Sequence, residues 1–156
     1  DAVKHPLAGM YFQQSIEQKA FVEGGQNLYA PAQRLTDFVN LKKSTSLPDC
    51  SYRPGVTPTN LKNVLPEYIY QSLRNAFVQF NKKMHGFITE DAIVVAPESR
   101  TSSPVRIPRD KITYQHIQVK NLYPCAEGAG YAGGIVSAAI DGINIVQSIK
   151  ERIEIS

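Results

Sequence analysis

The sequence predicts an α+β fold made of a mostly helical module over residues 1–88 and a strand-rich segment over residues 89–156. Two stretches of the first module repeat apolar residues at helical spacing, which is typical of helices that pack on a core. After residue 88 β-branched residues become common, and a glycine cluster then separates a short apolar run from a final helical stretch. Strand, glycine turn and helix in this order predict the last strand–turn–helix unit of a Rossmann-like α/β domain.

Two helices are predicted before residue 44. The first, Met10–Glu23, ends at Gly24 and Gly25, because glycine readily adopts the backbone conformation that terminates a helix. A shorter helix is predicted over residues 33–41, where apolar residues again recur at helical spacing. The apolar positions are Phe12, Ile16, Ala20 and Phe21 in the first helix and Leu35, Phe38 and Val39 in the second.

A loop and the strongest helix of the chain follow. Residues 44–60 are rich in proline, serine and threonine, which predicts a long ordered loop. Thr59 or Asn60 can cap a one-turn helix that ends near Val64, and Pro66 suits the start of a longer helix over residues 67–84. The apolar face of that longer helix is predicted to comprise Ile69, Leu73, Ala76, Phe77, Phe80 and Met84, with Gly86 as its stop.

Short apolar runs predict strands in the second segment. Ala92–Ala96 is β-branched throughout its centre and indicates a buried strand. Further short strands are predicted at 105–107 and 112–114, and the run 122–126 is predicted to be the strand before the glycine turn. The helix that starts at Ile135 is apolar on nearly every side, so we expect it either between a sheet and a second layer or against a surface outside this chain.

The glycine cluster carries the clearest chemical signal. The pattern Gly128-x-Gly130-x-x-Gly133 matches the fingerprint of dinucleotide-binding turns. The first turn of the following helix has unpaired N–H groups and a partial positive charge, which favour a phosphate or another anion. Glu127 directly precedes the first glycine, where its carboxylate can accept a hydrogen bond from a sugar-chain hydroxyl. The alternative is a tight glycine turn that only joins a core strand to a core helix.

This segment does not contain a complete Rossmann unit. Such a unit needs a second strand after the helix, with an acidic residue at its end. The residues that follow Gly134 read as helix to the end, and the chain begins at Asp1 without an initiator methionine. We therefore expect a fragment of a longer polypeptide, with the other strands of the sheet outside this chain.

Composition and motifs disfavour several classes of protein. The net charge of +3 comes from scattered basic residues, which disfavours nucleic-acid binding. No apolar run approaches the roughly 18 residues of a membrane span, so we expect a soluble, cytoplasmic protein. The sequence has no GxSxG or HExxH motif, and a hydrolase or metalloenzyme is poorly supported.

The histidines and cysteines show no ligand spacing. His5, His85 and His116 lie far apart, so no metal site is predicted. Cys50 and Cys125 form no CxxC motif, and a reducing compartment without a structural disulfide is the simpler inference.

A polar run precedes the glycine cluster. Residues 100–106 (RTSSPVR) place two guanidinium groups and three hydroxyls within seven residues, between two predicted strands. These are the donors that an anionic group needs. The alternative is a polar turn with solvated arginines. The candidate residues are Arg100, Thr101, Ser102, Ser103 and Arg106.

These two runs carry a resemblance to a known family. ESRTSSPVRIPRD (98–110) and NLYPCAEGAGYAGGIVSAAIDGI (121–143) resemble the C-terminal part of a bacterial family of FAD-dependent dehydrogenases, NAD(P)/FAD-dependent flavoproteins with a two-dinucleotide-binding fold. The resemblance extends through APAQRLTDF (30–38), SYRPGV (51–56) and KMHGF (83–87) and so covers most of the chain. The sequence departs from the family at Ala126, where glycine is usual, and at Cys125, which replaces a small residue.

The resemblance implies that the full-length protein binds FAD and is an FAD-dependent oxidoreductase. The glycine turn would pass the ribityl and pyrimidine side of the flavin, and residues 100–106 would lie beside the flavin or the substrate. A missing N-terminal part of the same polypeptide is the implied partner, because it would hold the ADP end. We expect the isolated fragment to be inactive and to retain little or no FAD. The implied cofactor-binding residues are Glu127, Gly128, Ala129, Gly130, Tyr131, Ala132, Gly133, Gly134 and Ile135.

The helical module would form one wall of a pocket for a small-molecule substrate. Arg34, Tyr52 and Arg53 are its candidate substrate-side residues, and the sequence identifies no catalytic acid or base. The alternative function is a non-redox module that binds a nucleotide or another anion at the glycine turn. Apolar surface exposed in a fragment can also drive self-association.

Overall fold

A computed structural model describes residues 5–154, which fall into two compact units. One unit comprises residues 14–98, and the other comprises the described residues before Gln14 together with those from Ser99 onward. The predicted α+β class is confirmed. The functional division at residue 88 stays a prediction. The elements are α1 (Ala8–Glu23), β1 (Ala30–Arg34), α2 (Leu35–Val39), β2 (Val56–Pro58), a 3₁₀ helix (Leu61–Asn63), α3 (Glu67–Lys83), β3 (Ile93–Val95) and α4 (Ile135–Glu154).

A three-stranded mixed sheet lies in the unit of residues 14–98. Its strand order is β2-β1-β3, with β1 parallel to β2 and antiparallel to β3. The strand predicted at 92–96 is confirmed in position as β3, but Val95 is 39% exposed, so the strand is not fully buried. Strands β1 and β2 were not predicted, because each contains a proline, which usually argues against a strand.

Two neighbouring predictions were wrong in part. Gln33 and Arg34 end β1 instead of starting a helix, because β1 pairs with strands on both sides and this pairing outweighs local helical spacing. Residues 44–60 include β2 and are therefore not a loop throughout. The capped turn after this segment is confirmed, since the Asn60 side chain accepts a hydrogen bond from the backbone N–H of Lys62 at the start of the 3₁₀ helix.

An aromatic cluster forms the core of this unit. The rings of Phe38 and Tyr70 lie 4.2 Å apart between centroids, and Phe77 meets Phe38 edge to face at 5.5 Å. Burial of one such ring stabilises the fold by about 2–3 kcal/mol. The buried members of this core are Ile16, Ala20, Phe38, Leu61, Val64, Tyr70 and Ala96.

Helices α1 and α3 are confirmed, but their predicted apolar faces were wrong in part. Phe12 and Phe21 of α1 are 44% and 53% exposed, whereas Ile16 and Ala20 are buried. In α3 the fully buried residue is Tyr70, while Phe80 is exposed, as is Met84 directly after the helix. A tyrosine can occupy the core here because its hydroxyl donates to the carbonyl oxygen of Phe38 at 2.8 Å.

Buried polar side chains fix the connections around the sheet. The amide of Gln33 is fully buried, donates to the Lys42 carbonyl at 2.6 Å and accepts from the Leu61 backbone N–H at 2.9 Å. The buried Ser44 hydroxyl donates to Asp37 at 2.7 Å and accepts from the Arg34 backbone N–H at 2.9 Å. These bonds explain why the residues after α2 form ordered structure.

In the other unit the predicted strands at 105–107, 112–114 and 122–126 were wrong. A strand needs a neighbour, and within the described residues of this unit the only ladder contact is a single bridge between Arg109 and His116. Asp110 also accepts from the backbone N–H groups of Ile112 and Thr113 and so turns that segment. Helix α4 begins at Ile135, as predicted.

Within residues 5–154, no helix has both the length and the apolar character that crossing a bilayer requires.

Candidate functional site

The glycine turn and the polar run lie against each other within one unit. The Ile107 backbone N–H donates to the carbonyl oxygen of Ala129 at 3.1 Å. The Tyr131 hydroxyl donates to the carbonyl oxygen of Ile107 at 2.9 Å. Ala129 itself is 4% exposed. Two motifs that are separate in the sequence therefore form one surface.

Two arginines contact the ring of Tyr131. The guanidinium carbon of Arg109 lies 3.6 Å from the ring centroid, and that of Arg106 lies 4.3 Å away. A cation over an aromatic face is attracted by the quadrupole of the ring, by about 0.5–1 kcal/mol at an exposed site. Arg106 is thus held beside the turn.

An ion pair joins the turn to helix α4. Arg109 donates to both carboxylate oxygens of Asp141, at 2.6 and 2.9 Å, and to the carbonyl oxygen of Pro124 at 2.7 Å. The Ala126 backbone N–H donates to Asp141 at 2.8 Å. Both charged side chains are largely buried, with 7% of Arg109 and 13% of Asp141 exposed. We call this arrangement the Arg109–Asp141 clamp.

The clamp shifts the pKa values of both groups. The hydrogen bonds from Arg109 lower the pKa of Asp141, and the bond from Ala126 adds to that effect. The same pair raises the pKa of Arg109, so both groups stay charged near neutral pH. Sequence reasoning missed this clamp because its members are 32 residues apart. The available signal was Asp141, the one charged residue in the apolar stretch 135–146 of the predicted helix.

Gly130 is required by the fold of the turn. It has a φ of 81°, and a Cβ built there would lie 2.7 Å from the carbonyl oxygen of Val105. A Cβ on Gly133 would lie 3.1 Å from the Ser102 hydroxyl, which is a tight contact. These two glycines allow the turn to approach residues 101–106 closely.

Gly128 differs from Gly130 and Gly133 in the space around it. Its φ is outside the left-handed region, and a Cβ there would have no protein atom within 4 Å. Packing therefore gives no reason for a glycine at this position. Gly128 lies at the edge of an open cleft.

The cleft has a volume of about 580 Å³, which is within the usual range for sites that bind small molecules. Its lining combines charged groups of both signs, hydroxyls and apolar side chains. Ser103 also uses its hydroxyl to donate to the Val105 carbonyl at 2.8 Å, which fixes the local turn. The lining residues are Met10, Gln13, Arg100, Ser102, Ser103, Pro104, Val105, Glu127 and Gly128.

The start of α4 is partly capped. The Gly134 backbone N–H donates to the Ser137 hydroxyl at 3.2 Å, and that hydroxyl donates back to the Gly134 carbonyl oxygen at 2.9 Å. The next N–H groups of the first turn have no acceptor within the helix, as in any helix. The side chain of Ile135 is 91% exposed.

The remaining predicted site residues are distributed as follows. Thr101 and Arg106 are exposed and Ala132 is half-buried, all in the same unit as the cleft. Arg34 lies in the unit of residues 14–98, where it donates to the Glu90 carbonyl and pairs with the Glu90 carboxylate at 3.6 Å.

Tyr52 and Arg53 are exposed and lie in the same unit as Arg34. Tyr52 borders a separate groove of about 320 Å³. Within the described residues, no three or more His, Cys, Asp or Glu side chains are grouped so that they could hold a metal ion.

Comparison with known proteins identifies relatives of this chain. Residues 1–101 match the family model described as FAD-dependent protein, C-terminal domain-like. An uncharacterized protein of Clostridium beijerinckii is 43% identical over 152 residues, which covers 96% of this chain and 28% of the relative. The family match ends before the glycine turn, whereas the match to the relative spans most of the chain. The chain thus represents about 28% of the length of the relative that it matches.

Proposed function

Because this chain belongs to the family of FAD-dependent proteins, C-terminal domain-like, we propose that it is the C-terminal part of an FAD-dependent oxidoreductase, a dehydrogenase. In this proposal residues 89–156 contribute the loop and helix that contact the ribityl and pyrimidine side of the flavin. Residues 1–88 form a substrate-side module. Bound FAD would supply the electron transfer, and the protein would bind and orient it.

The open face of Gly128 carries this proposal. A glycine without a positive φ and without a close neighbour is explained when a ligand approaches the backbone at that point. The adjoining cleft supplies donors from Arg100 and Ser102 and an acceptor from Glu127. These groups fit a ligand that has both sugar-type hydroxyls and an electron-rich ring edge.

Each part of the turn has a defined task in this proposal. Glu127 would accept a hydrogen bond from a ribityl hydroxyl, and the free N–H groups at the start of α4 would stabilise negative charge on the pyrimidine side of the bound flavin. The Arg109–Asp141 clamp holds the turn and α4 in register, so these groups are positioned before the ligand binds.

The substrate-side role rests on Arg34, Tyr52 and Arg53, with Arg100 and Arg106 beside the flavin or the substrate. Arg34 is bound to Glu90 and the carbonyl of Ser46, so its first effect is to order the residues around β1. The exposed Tyr52 and Arg53 are the better candidates for direct contact with a small molecule.

The experiment is to express the full reading frame and record its visible spectrum. We expect a yellow protein whose flavin bands are bleached by a chemical reductant. A colourless protein that still binds nucleotides would favour the alternative function, a non-redox module for nucleotides or other anions. A colourless protein that binds neither would refute both functions.

A further inference from the structure

Three polar residues of helix α4 bind other segments of its own unit. Asp141 pairs with Arg109, and the Ser148 hydroxyl donates to the Thr113 carbonyl at 3.2 Å. Arg152 donates to the Tyr123 hydroxyl at 2.7 Å. The only fully buried apolar side chain of this helix in the described residues is that of Ile145, which is 4% exposed.

The opposite face of α4 is apolar and exposed. Successive residues of an α-helix are 100° apart, which places one set of aliphatic side chains within a single sector of about 140°. We call this set the outer face of α4. Its members and their exposed fractions are Ile135 (91%), Val136 (71%), Ile140 (53%), Ile143 (57%) and Val146 (65%).

This arrangement differs from an ordinary surface helix, in which the apolar side packs inward and the polar side faces water. Here the inner side carries an ion pair and hydrogen bonds beside Ile145, while the outer side is aliphatic and exposed. An exposed apolar face of this kind marks an interaction surface. The inward polar bonds fix the orientation of the helix, so it cannot turn its apolar side inward without breaking the Arg109–Asp141 clamp.

The charges of α4 argue against a lipid occupant. Between Ile135 and Val146 the helix contains no Lys or Arg, and its one charged residue is the inward-facing Asp141. One turn later the exposed Lys150 pairs with Glu154 at 3.5 Å, so it is balanced by a carboxylate. Helices that lie on membranes usually have basic residues beside the apolar face, where they meet lipid headgroups.

The length of the relative favours an intramolecular occupant. This chain corresponds to 28% of that protein, so most of the relative lies outside the matched region. We propose that the outer face of α4 docks, within one polypeptide, against the part of the protein that lies outside this chain. This inference shares with the proposed function the premise of a longer polypeptide, but it does not require a bound flavin.

Hydroxyl-radical footprinting of the full-length protein tests this docking. Ile140 and Ile143 are compared with Ile112, which is 83% exposed on a loop of the same unit and serves as an internal reference. We expect oxidation of the two helix residues to be slower by about an order of magnitude, as for buried side chains. Equal rates at all three positions would overturn the inference.

The same footprinting measurement distinguishes intramolecular docking from two other occupants of the outer face, a second copy of the protein and a membrane. It is made at a concentration at which light scattering shows a monomer, and without lipid. Protection that appears only in a dimer would assign the outer face to a second copy, and protection only after addition of anionic vesicles would assign it to a membrane surface. Either outcome would overturn the intramolecular docking.

A pair of variants at Ile140 provides a second test, with stability as its readout. In the full-length protein, Ile140→Lys should lower the melting temperature by several degrees, whereas Ile140→Leu should leave it nearly unchanged. Equal melting temperatures for both variants would contradict docking at this residue. Flavin content is measured on each sample, so protection in a flavin-free protein would support the docking while the proposed function failed.

Discussion

At the scale of single residues, Ala126, which directly precedes the glycine turn, lies in the left-handed region although it is not a glycine. Ala126 has a φ of 54°, and a Cβ raises the energy of that conformation by roughly 1 kcal/mol. Its backbone N–H is bound to Asp141, which fixes this conformation. The family run that this sequence resembles usually has glycine here, and the structure supplies the physical reason.

Ala126→Gly is therefore expected to stabilise the protein by up to about 0.5 kcal/mol, since the relief of strain exceeds the added entropy of the unfolded chain. Urea denaturation measures the change. The matched control is Ala138→Gly in helix α4, which should destabilise by about 1 kcal/mol. Destabilisation by both variants would show that Ala126 is not strained.

A second prediction concerns the buried tyrosine of α3. Tyr70→Phe leaves the Phe38 carbonyl oxygen without its side-chain donor and should destabilise the protein by about 1–2 kcal/mol. Tyr68→Phe on the same helix is the control, because Tyr68 is 65% exposed and its change should be nearly neutral. Equal urea midpoints for the two variants would contradict a role for the buried hydroxyl.

At the scale of elements, the Arg109–Asp141 clamp connects α4 to the glycine turn. Its contribution depends on pH, because the folded protein holds the pKa of Asp141 below its ordinary value near 3.8. A carboxylate with a depressed folded pKa contributes its full stabilisation above the unfolded pKa and loses it as pH falls through the folded value. Stability should therefore decline below about pH 4.

Asp141→Asn should destabilise the protein by about 3 kcal/mol at pH 7, because it leaves the Arg109 charge largely buried and unpaired. The deficit should shrink below about pH 4, where the parent also loses the carboxylate charge. Urea titrations at a series of pH values measure both effects. The control Asp91→Asn, at an exposed position, should leave the stability at pH 7 nearly unchanged. A deficit for Asp141→Asn that is independent of pH would contradict the role of the Asp141 charge.

The helices and strands also differ in whether the sequence alone could predict them. Helices α1, α3 and α4 were predictable because their apolar spacing, glycines and prolines are local signals. Strands β1 and β2 were not, because pairing across the sheet overrides the prolines that they contain. The apolar run at 122–126 satisfied the local rule for a strand, yet the described residues offer it no neighbour to pair with.

The features of the candidate site also divide into those that the sequence shows and those that only the tertiary structure shows. The glycine pattern and the polar run were visible in the sequence, but their contact through Ile107 and Ala129 is a tertiary feature. The clamp between Arg109 and Asp141 could not be inferred from spacing. Gly128 could be distinguished from Gly130 only by the space around each residue.

At the scale of the whole molecule, this chain is, in the proposed function, one part of a longer flavoprotein. In the proposed function the turn beside Gly128, which borders the cleft, would contact one side of the flavin, whereas the ADP end would need groups elsewhere in the polypeptide. A ligand that keeps only part of its contacts loses most of its affinity.

The isolated chain is accordingly expected to purify with less than about one-tenth of an FAD per polypeptide, and the full-length protein with roughly one. Absorbance after extensive dialysis measures both ratios. Stoichiometric flavin in the isolated chain would show that residues 1–156 hold the cofactor without the rest of the protein.

The most direct measurement compares the FAD affinity of Gly128→Ala with that of Gly142→Ala, both in the full-length protein. Each change adds one methyl group where the structure has room, but only Gly128 faces the cleft, whereas a Cβ on Gly142 would meet the Cys125 sulfur at 3.9 Å. We expect Gly128→Ala to weaken FAD binding about tenfold through overpacking against the ligand, and Gly142→Ala to bind as the parent does. Unchanged affinity for Gly128→Ala would contradict the claim that the flavin lies against this turn.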